Sequence, residues 1–280
     1  MKSSAIFLAC QLWHRYVRHD VSHQSAALAY FLLFSLFPIL VFTGNLIAQL
    51  GLDLSGILGT LSAVLPGEVL DLVESYLDYT KKHGGRSMLY FSLIFSVYFP
   101  VRATRCLMRG VRRAYRLSPP ENRLRDLLRV GCYTVLLLFS IALTLLLATL
   151  GRGAVSAFAD CFALPGSFAE IWAAARFLLL GLIVFAAMGV LYAAAQGRRR
   201  GQRTILPGAG LSTLSWIILS SLYSFYVEYI SNYDLIYGAL GTVIVLLIWL
   251  YLTALTLILG AEVNDTLACL RQKDPRRNRP

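Results

Sequence analysis

Charge is scarce in this sequence. Asp, Glu, Lys and Arg make up 15% of its 280 residues, against about 25% in a soluble domain. A water-soluble fold needs charge across its surface, so the deficit argues against one. Catalytic signatures are also missing. There is no Gly-x-x-x-x-Gly-Lys-Ser/Thr loop to cradle nucleotide phosphates. No histidine follows His83, which removes histidine-dependent hydrolysis from everything beyond it. The other histidines are His14, His19 and His23. The last two stand four apart without a His-Glu-x-x-His motif, and a solvated or headgroup-contacting state is expected for them. Cys10, Cys106, Cys132, Cys161 and Cys269 show neither metal-ligand nor redox spacing. No carboxylates pair at catalytic spacing inside an apolar stretch. The expectation is a protein that is not an enzyme, with no metal and no cofactor.

What the sequence has in quantity is apolar residues, 57% of the chain. They fall in blocks of about 20, the length a helix needs to cross the hydrocarbon of a bilayer. The pattern predicts an all-α integral membrane protein: a bundle of about six transmembrane helices. The spans are expected at about 26–50, 88–108, 130–150, 176–196, 204–229 and 235–263. Residues 1–25 read as a cytoplasmic, interfacial amphipathic segment, with Leu8, Leu12, Trp13, Tyr16 and Val17 toward lipid. The short run Ala5–Ala9 before Cys10 is too brief for a signal h-region. Within 51–87, Val69, Leu70, Leu72, Val73, Tyr76 and Leu77 alternate at helical spacing with Glu68, Asp71, Glu74 and Asp78, which predicts an extracytoplasmic surface helix. Residues 264–280 form a basic cytoplasmic tail.

The net charge of +11 would suggest nucleic acid in a soluble protein. Here the basic residues crowd the ends of apolar blocks instead, and no nucleic-acid partner is expected. With six spans, 21 of the 26 Lys and Arg lie on the side of the N-terminus. Short loops rich in Lys and Arg stay in the cytoplasm, so both termini are expected there, in a bacterial inner membrane.

Three stretches resemble the YihY/BrkB family of bacterial inner-membrane proteins. One runs from Ala27-Leu28-Ala29-Tyr30 through Ser35-Leu36-Phe37-Pro38. The second is Leu191-Tyr192, then the arginines and Pro207-Gly208-Ala209. The third runs from Ile236-Tyr237-Gly238-Ala239-Leu240-Gly241 through Trp249-Leu250-Tyr251 to Leu259-Gly260-Ala261-Glu262. The similarity covers about 12–268. Family members often carry Asn late in the second span, where this chain has Arg112, and many have Pro after the Leu-Tyr pair, where it has Ala195-Gln196. The resemblance implies a six-span, transporter-like membrane protein without an established substrate. The ribonuclease label once attached to parts of the family finds no support in these residues.

Several constellations are candidates for chemistry. Arg102, Arg105, Arg109, Arg112 and Arg116 recur at three- and four-residue steps and share one helix side. From Met88 to Val101 is about 21 Å of helix, short of full bilayer thickness, which puts Arg102 and Arg105 at the lipid boundary. The face reads either as arginines snorkelling to headgroups or as a binding surface for an anionic small molecule or lipid, since a guanidinium pairs with phosphate in bidentate fashion. Arg102, Arg105 and Arg109 are the anion-binding candidates. Glu262 closes the sixth span at the same boundary, as a structural ion pair or as a gate. Tyr30, Pro38 and Asn45 share a face of the first span, which is either packing or the wall of a cavity beside a kinked helix. Thr242, Trp249, Thr253, Thr256 and Gly260 line one face of span six, and Gly208, Ser212 and Ser215 one face of span five, as packing or as a polar pathway. Gly238 and Gly241 are further gating candidates, and Asp234 and Tyr237 sit at the outer mouth. Membrane lipids are the expected partners, with homo-oligomerisation left open.

Overall fold

The computed structural model describes residues 2–50, 86–118, 122–149, 168–196, 205–229 and 239–273. Seven helices account for nearly all of them: α1 (Lys2–Arg18), α2 (Val21–Leu50), α3 (Arg86–Ala114), α4 (Arg123–Thr149), α5 (Phe168–Gln196), α6 (Leu206–Tyr229) and α7 (Ala239–Lys273). A helix thus overlies each of the six apolar stretches, and an amphipathic one precedes them. Four helices contain a segment long and apolar enough to cross a membrane: Val21–Leu46, Arg123–Thr144, Leu178–Gln196 and Val243–Leu270, with mean hydropathies of 2.2, 1.9, 2.4 and 2.6. The expected surface helix near 69–78 lies outside the described residues, as do Asp234, Tyr237 and Gly238.

The side chains are distributed as a lipid solvent dictates. Leu178 is 76% exposed, Val135 69% and Ile94 64%. In water each such surface would be unfavourable by about 25 cal/mol per Å²; in hydrocarbon it costs nothing, and helices must instead be held together by packing and polar contacts.

The chain divides into two compact units. The first comprises Met1–Leu33, Val101–Leu137 and Ile183–Pro280. Its core holds Val21, Leu28, Leu107, Val111, Tyr115, Val130, Leu191, Tyr192, Ala209, Ala254, Ile258 and Ala261. The second comprises Phe34–Pro100 and Leu138–Leu182. Aromatic rings dominate there: Phe95 lies 4.5 Å from Phe91 and 5.9 Å from Phe99, and Phe99 lies 5.8 Å from Phe34. Asn45 is buried in this unit, its Nδ2 donating to the Val41 carbonyl at 2.8 Å.

Within the first unit, α6 and α7 approach until their backbones touch. A methyl group placed on Gly208 would run into the Gly260 carbonyl and the Asn264 side chain; one on Gly260 would strike Ser212 Oγ and Tyr192 Oη. The hydroxyls of Tyr192 and Ser212 lie 2.7 Å apart and reach the Leu257 and Thr256 carbonyls at 2.8 and 3.0 Å. At Gly208, Ser212, Thr256 and Gly260 the small-residue stripes are therefore consumed in helix packing. Gly260→Ala is expected to lower stability by about 1–3 kcal/mol through overpacking, read as a lower midpoint in a thermal scan of detergent-solubilised protein.

Candidate functional site: a buried charge cluster between α1 and α7

α1 stops abruptly. His19 and Asp20 link it to α2, with Asp20 in the left-handed region at φ 56°, a conformation Asp tolerates better than most residues. The short link folds α1 back so that its Arg15 and His19, one turn apart, meet α7. On α7, Glu262, Asp265 and Cys269 stand at matching three- and four-residue steps. Arg15 Nη1 donates to Asp265 Oδ2 at 2.7 Å and to Glu262 Oε2 at 3.4 Å. His19 Nδ1 lies 2.5 Å from Glu262 Oε1. Cys269 Sγ closes the group, 3.8 Å from Asp265 Oδ2 and 3.9 Å from Arg15 Nη2.

Both carboxylates are completely buried, and Arg15 is 6% exposed. Burial pulls the Arg15 guanidinium down, but its hydrogen bond to Asp265 and the charges of Asp265 and Glu262 outweigh that and leave it above its ordinary value. Arg15 is thus a fixed cation between two carboxyl groups. Arg116, at the end of α3, approaches Asp265 from another side, at 3.9 Å.

Between these two carboxylates in sequence, Asn264 anchors a second helix. Its Oδ1 accepts from the Gly208 amide at 2.7 Å, and its Nδ2 donates to the Ile205 carbonyl at 3.1 Å and to Tyr115 Oη at 3.0 Å. Gly208 belongs to the first turn of α6, whose amides have no partner within the helix. Asn264 supplies one from a distance of 56 residues in sequence, and Pro207 removes the need for another.

The candidates read from sequence fall as follows. Glu262 meets α1 rather than the arginine face of α3. His19, expected at the solvated surface, is largely buried against that carboxylate; the paired His of the surface step is instead His23, on exposed Asp20. Arg102 and Arg105 are half-buried on α3, and Arg109 is exposed. Arg112 donates to the Ser118 carbonyl at 2.7 Å. Trp13 and Val17 are exposed on α1, whereas Tyr16 packs on the core. Tyr30 is 49% exposed, with its ring edge-on to Phe31. Pro38 lies within α2, Gly241 is buried in α7, and Thr253 Oγ1 is buried without a hydrogen-bond partner among the described residues. Sequence reading missed Arg15, Asn264 and Asp265. Two complementary steps could have found Arg15 and Asp265: Arg15–His19 at the end of an amphipathic helix, and Glu262–Asp265 at the end of an apolar one.

The cluster invites comparison with a metal site, but Arg15 stands among its carboxylates. Among the described residues no group of three or more His, Cys, Asp or Glu side chains is arranged to hold a metal ion.

Comparison with known proteins places the chain in a family. The model for "Virulence factor BrkB" matches residues 12–280. The ribonuclease-like protein YfkH of Bacillus subtilis is 34% identical over 259 residues, covering 92% of this chain and 94% of that protein. A UPF0761 membrane protein of Chromohalobacter salexigens is 28% identical over 274 residues, covering 94% of this chain and 64% of the relative. Another, from Psychromonas ingrahamii, is 24% identical over 263 residues, covering 91% and 86%. No solved structure matches the chain. From the family match, the named relatives and the apolar helices, this chain is a membrane protein and belongs to the BrkB virulence-factor family.

Proposed function

We propose that the protein is a six-span transporter or lipid-translocating protein of the bacterial inner membrane, with both termini in the cytoplasm, acting on an anionic or amphiphilic substrate. The observation that carries this reading is the pair of fully buried carboxyl groups, Glu262 and Asp265, toward the C-terminal end of the apolar segment Val243–Leu270. Ionisable groups in such a segment are expensive, and they mark pathways and gates. Here they hold a separate amphipathic helix, α1, through Arg15 and His19. In this reading the contact is a lock: α1 stays docked while the charges are paired and swings away when they are not. Arg102, Arg105 and Arg109 on α3 collect the substrate at the cytoplasmic boundary. Both roles need only binding and movement, and no bond-breaking chemistry is assigned to the protein.

The test is flux in proteoliposomes, using fluorescent phosphatidylglycerol and soluble organic anions. Arg102→Ala/Arg105→Ala, with folding intact, is expected to abolish transport. Unchanged flux in that variant would remove the arginines from the mechanism. A non-transporting scaffold for envelope assembly is the second reading. The tightly bonded Asn264 junction favours it, and a stoichiometric partner protein together with no flux for either probe would select it.

A further inference from the structure

A pocket of about 320 Å³ opens beside the charge cluster, lined by Cys10, Gln11, His14, Arg15, Arg18 and Arg116. Three of its six lining residues are arginines and none is acidic. Arg15 is committed to Asp265 and Glu262. Arg116 reaches Asp265 only at 3.9 Å and through Nε, which leaves its outer guanidinium donors for another acceptor. Arg18 is exposed and has no hydrogen bond or ion pair among the described residues. Gln11 adds a buried amide oxygen with no hydrogen-bond partner among the described residues. A half-turn of that amide would present N–H instead, so the group can serve either a hydroxyl or an anionic oxygen.

The backbone at Arg116 fixes where its side chain leaves the chain. The Arg116 amide bonds the Arg113 carbonyl at 2.9 Å and the Leu117 amide bonds the Arg112 carbonyl at 3.0 Å. This is the Schellman ending of a helix, in which the residue occupied by Arg116 is usually Gly. Arg116 sits there at φ 52°, a conformation that disfavours any residue with a Cβ. The turn leaves the Arg116 side chain lining the pocket, with Nε toward Asp265.

We infer that this pocket binds a phosphate monoester, with Arg18 and Arg116 pairing with its oxygens, His14 and Gln11 completing the shell, and Arg15 fixed behind them. Two guanidinium forks suit a phosphate dianion better than a carboxylate, because bidentate pairing satisfies both groups. The pocket's surroundings point to a lipid source. Trp13 and Val17, 70% and 63% exposed, form an apolar edge of α1 next to the Cys10–His14 edge. Trp favours the bilayer interface, which sets the pocket at headgroup level. The site is distinct from Arg102 and Arg105 and does not depend on the transport reading.

Native mass spectrometry of the full chain in mild detergent tests this, with short-chain phosphatidic acid, phosphatidylcholine and inorganic phosphate as probes. Phosphatidic acid is expected to bind one-to-one, and phosphatidylcholine not at the same concentration. Arg18→Gln should weaken binding about threefold and Arg18→Gln/Arg116→Gly about tenfold or more, as loss of charge-assisted bidentate contacts requires. Arg116→Gly suits the backbone conformation, and Arg18→Gln alone decides should the double variant fail to fold. Arg123→Gln/Arg125→Gln, an exposed basic pair on α4 away from the pocket, should bind as the unaltered protein does. Displacement by excess inorganic phosphate assigns the site to the phosphate group itself; persistence of the lipid complex assigns it to a lipid headgroup. Equal binding by the unaltered chain and the Arg18 variants, or an equal loss in the Arg123/Arg125 variant, overturns the inference.

Discussion

Arg15→Ala is expected to destabilise the protein by about 3–5 kcal/mol, the cost of leaving buried carboxylates without their cation. The magnitude follows from geometry. Glu262 and Asp265 are fully buried, and Arg15 donates to both. Without it, His19 can serve Glu262, but Asp265 loses the guanidinium that donates to it at 2.7 Å. The loss should appear as a lower unfolding midpoint and a lower yield of monodisperse protein in detergent. Replacing all three members with apolar residues, as in Arg15→Met/Glu262→Leu/Asp265→Leu, is expected to restore most of the stability, since a buried ion pair offers little net advantage over good apolar packing. If Arg15→Ala melts like the unaltered protein, these carboxyl groups do not depend on α1.

Asn264→Leu should cost about 1–3 kcal/mol, the cost of one buried group left unsatisfied. The substitution takes the acceptor from the buried Gly208 amide and removes the bonds to Tyr115 Oη and to the Ile205 carbonyl, which still accepts from the Ala209 amide. Asn264→Asp keeps an acceptor for Gly208 while losing both donated bonds, so its loss should be smaller. The difference between the two variants isolates the cap on α6. A further signature is local: amide exchange at the first turn of α6 should quicken in Asn264→Leu more than in Gly260→Ala. Equal exchange in the two would assign Asn264 a packing role only.

The helices were legible because their cause is local. Blocks of about 20 apolar residues leave a bilayer helix as the one way to satisfy the backbone, and a helix lies over each expected block. Boundaries were less legible. Hydropathy closes the last span near 263, yet α7 runs to Lys273, with Asn264, Asp265 and Thr266 entirely buried. Polar residues look like the start of a solvated tail until their partners are known, and the partners of Asn264 and Asp265 outside α7 lie from 56 to 250 residues away in sequence. His19 misled for the same reason: its neighbours in sequence are polar, and its burial comes from α7. Gly208 and Gly260, by contrast, could be read as close-approach residues from spacing alone. Arg116 was legible as a cation on the arginine side of α3, but its left-handed backbone and its place in a basic pocket were not.

The account centres on α1 being held to α7 by a releasable set of charges. Hydrogen exchange of the full chain in nanodiscs, followed at the α1 amides, tests that most directly. The account predicts protected α1 amides in the unaltered protein and exchange about tenfold faster or more in Arg15→Ala, where the uncompensated pair no longer holds the helix, with the amides of α4 unchanged. Exchange in α1 that is identical in the two proteins would contradict it.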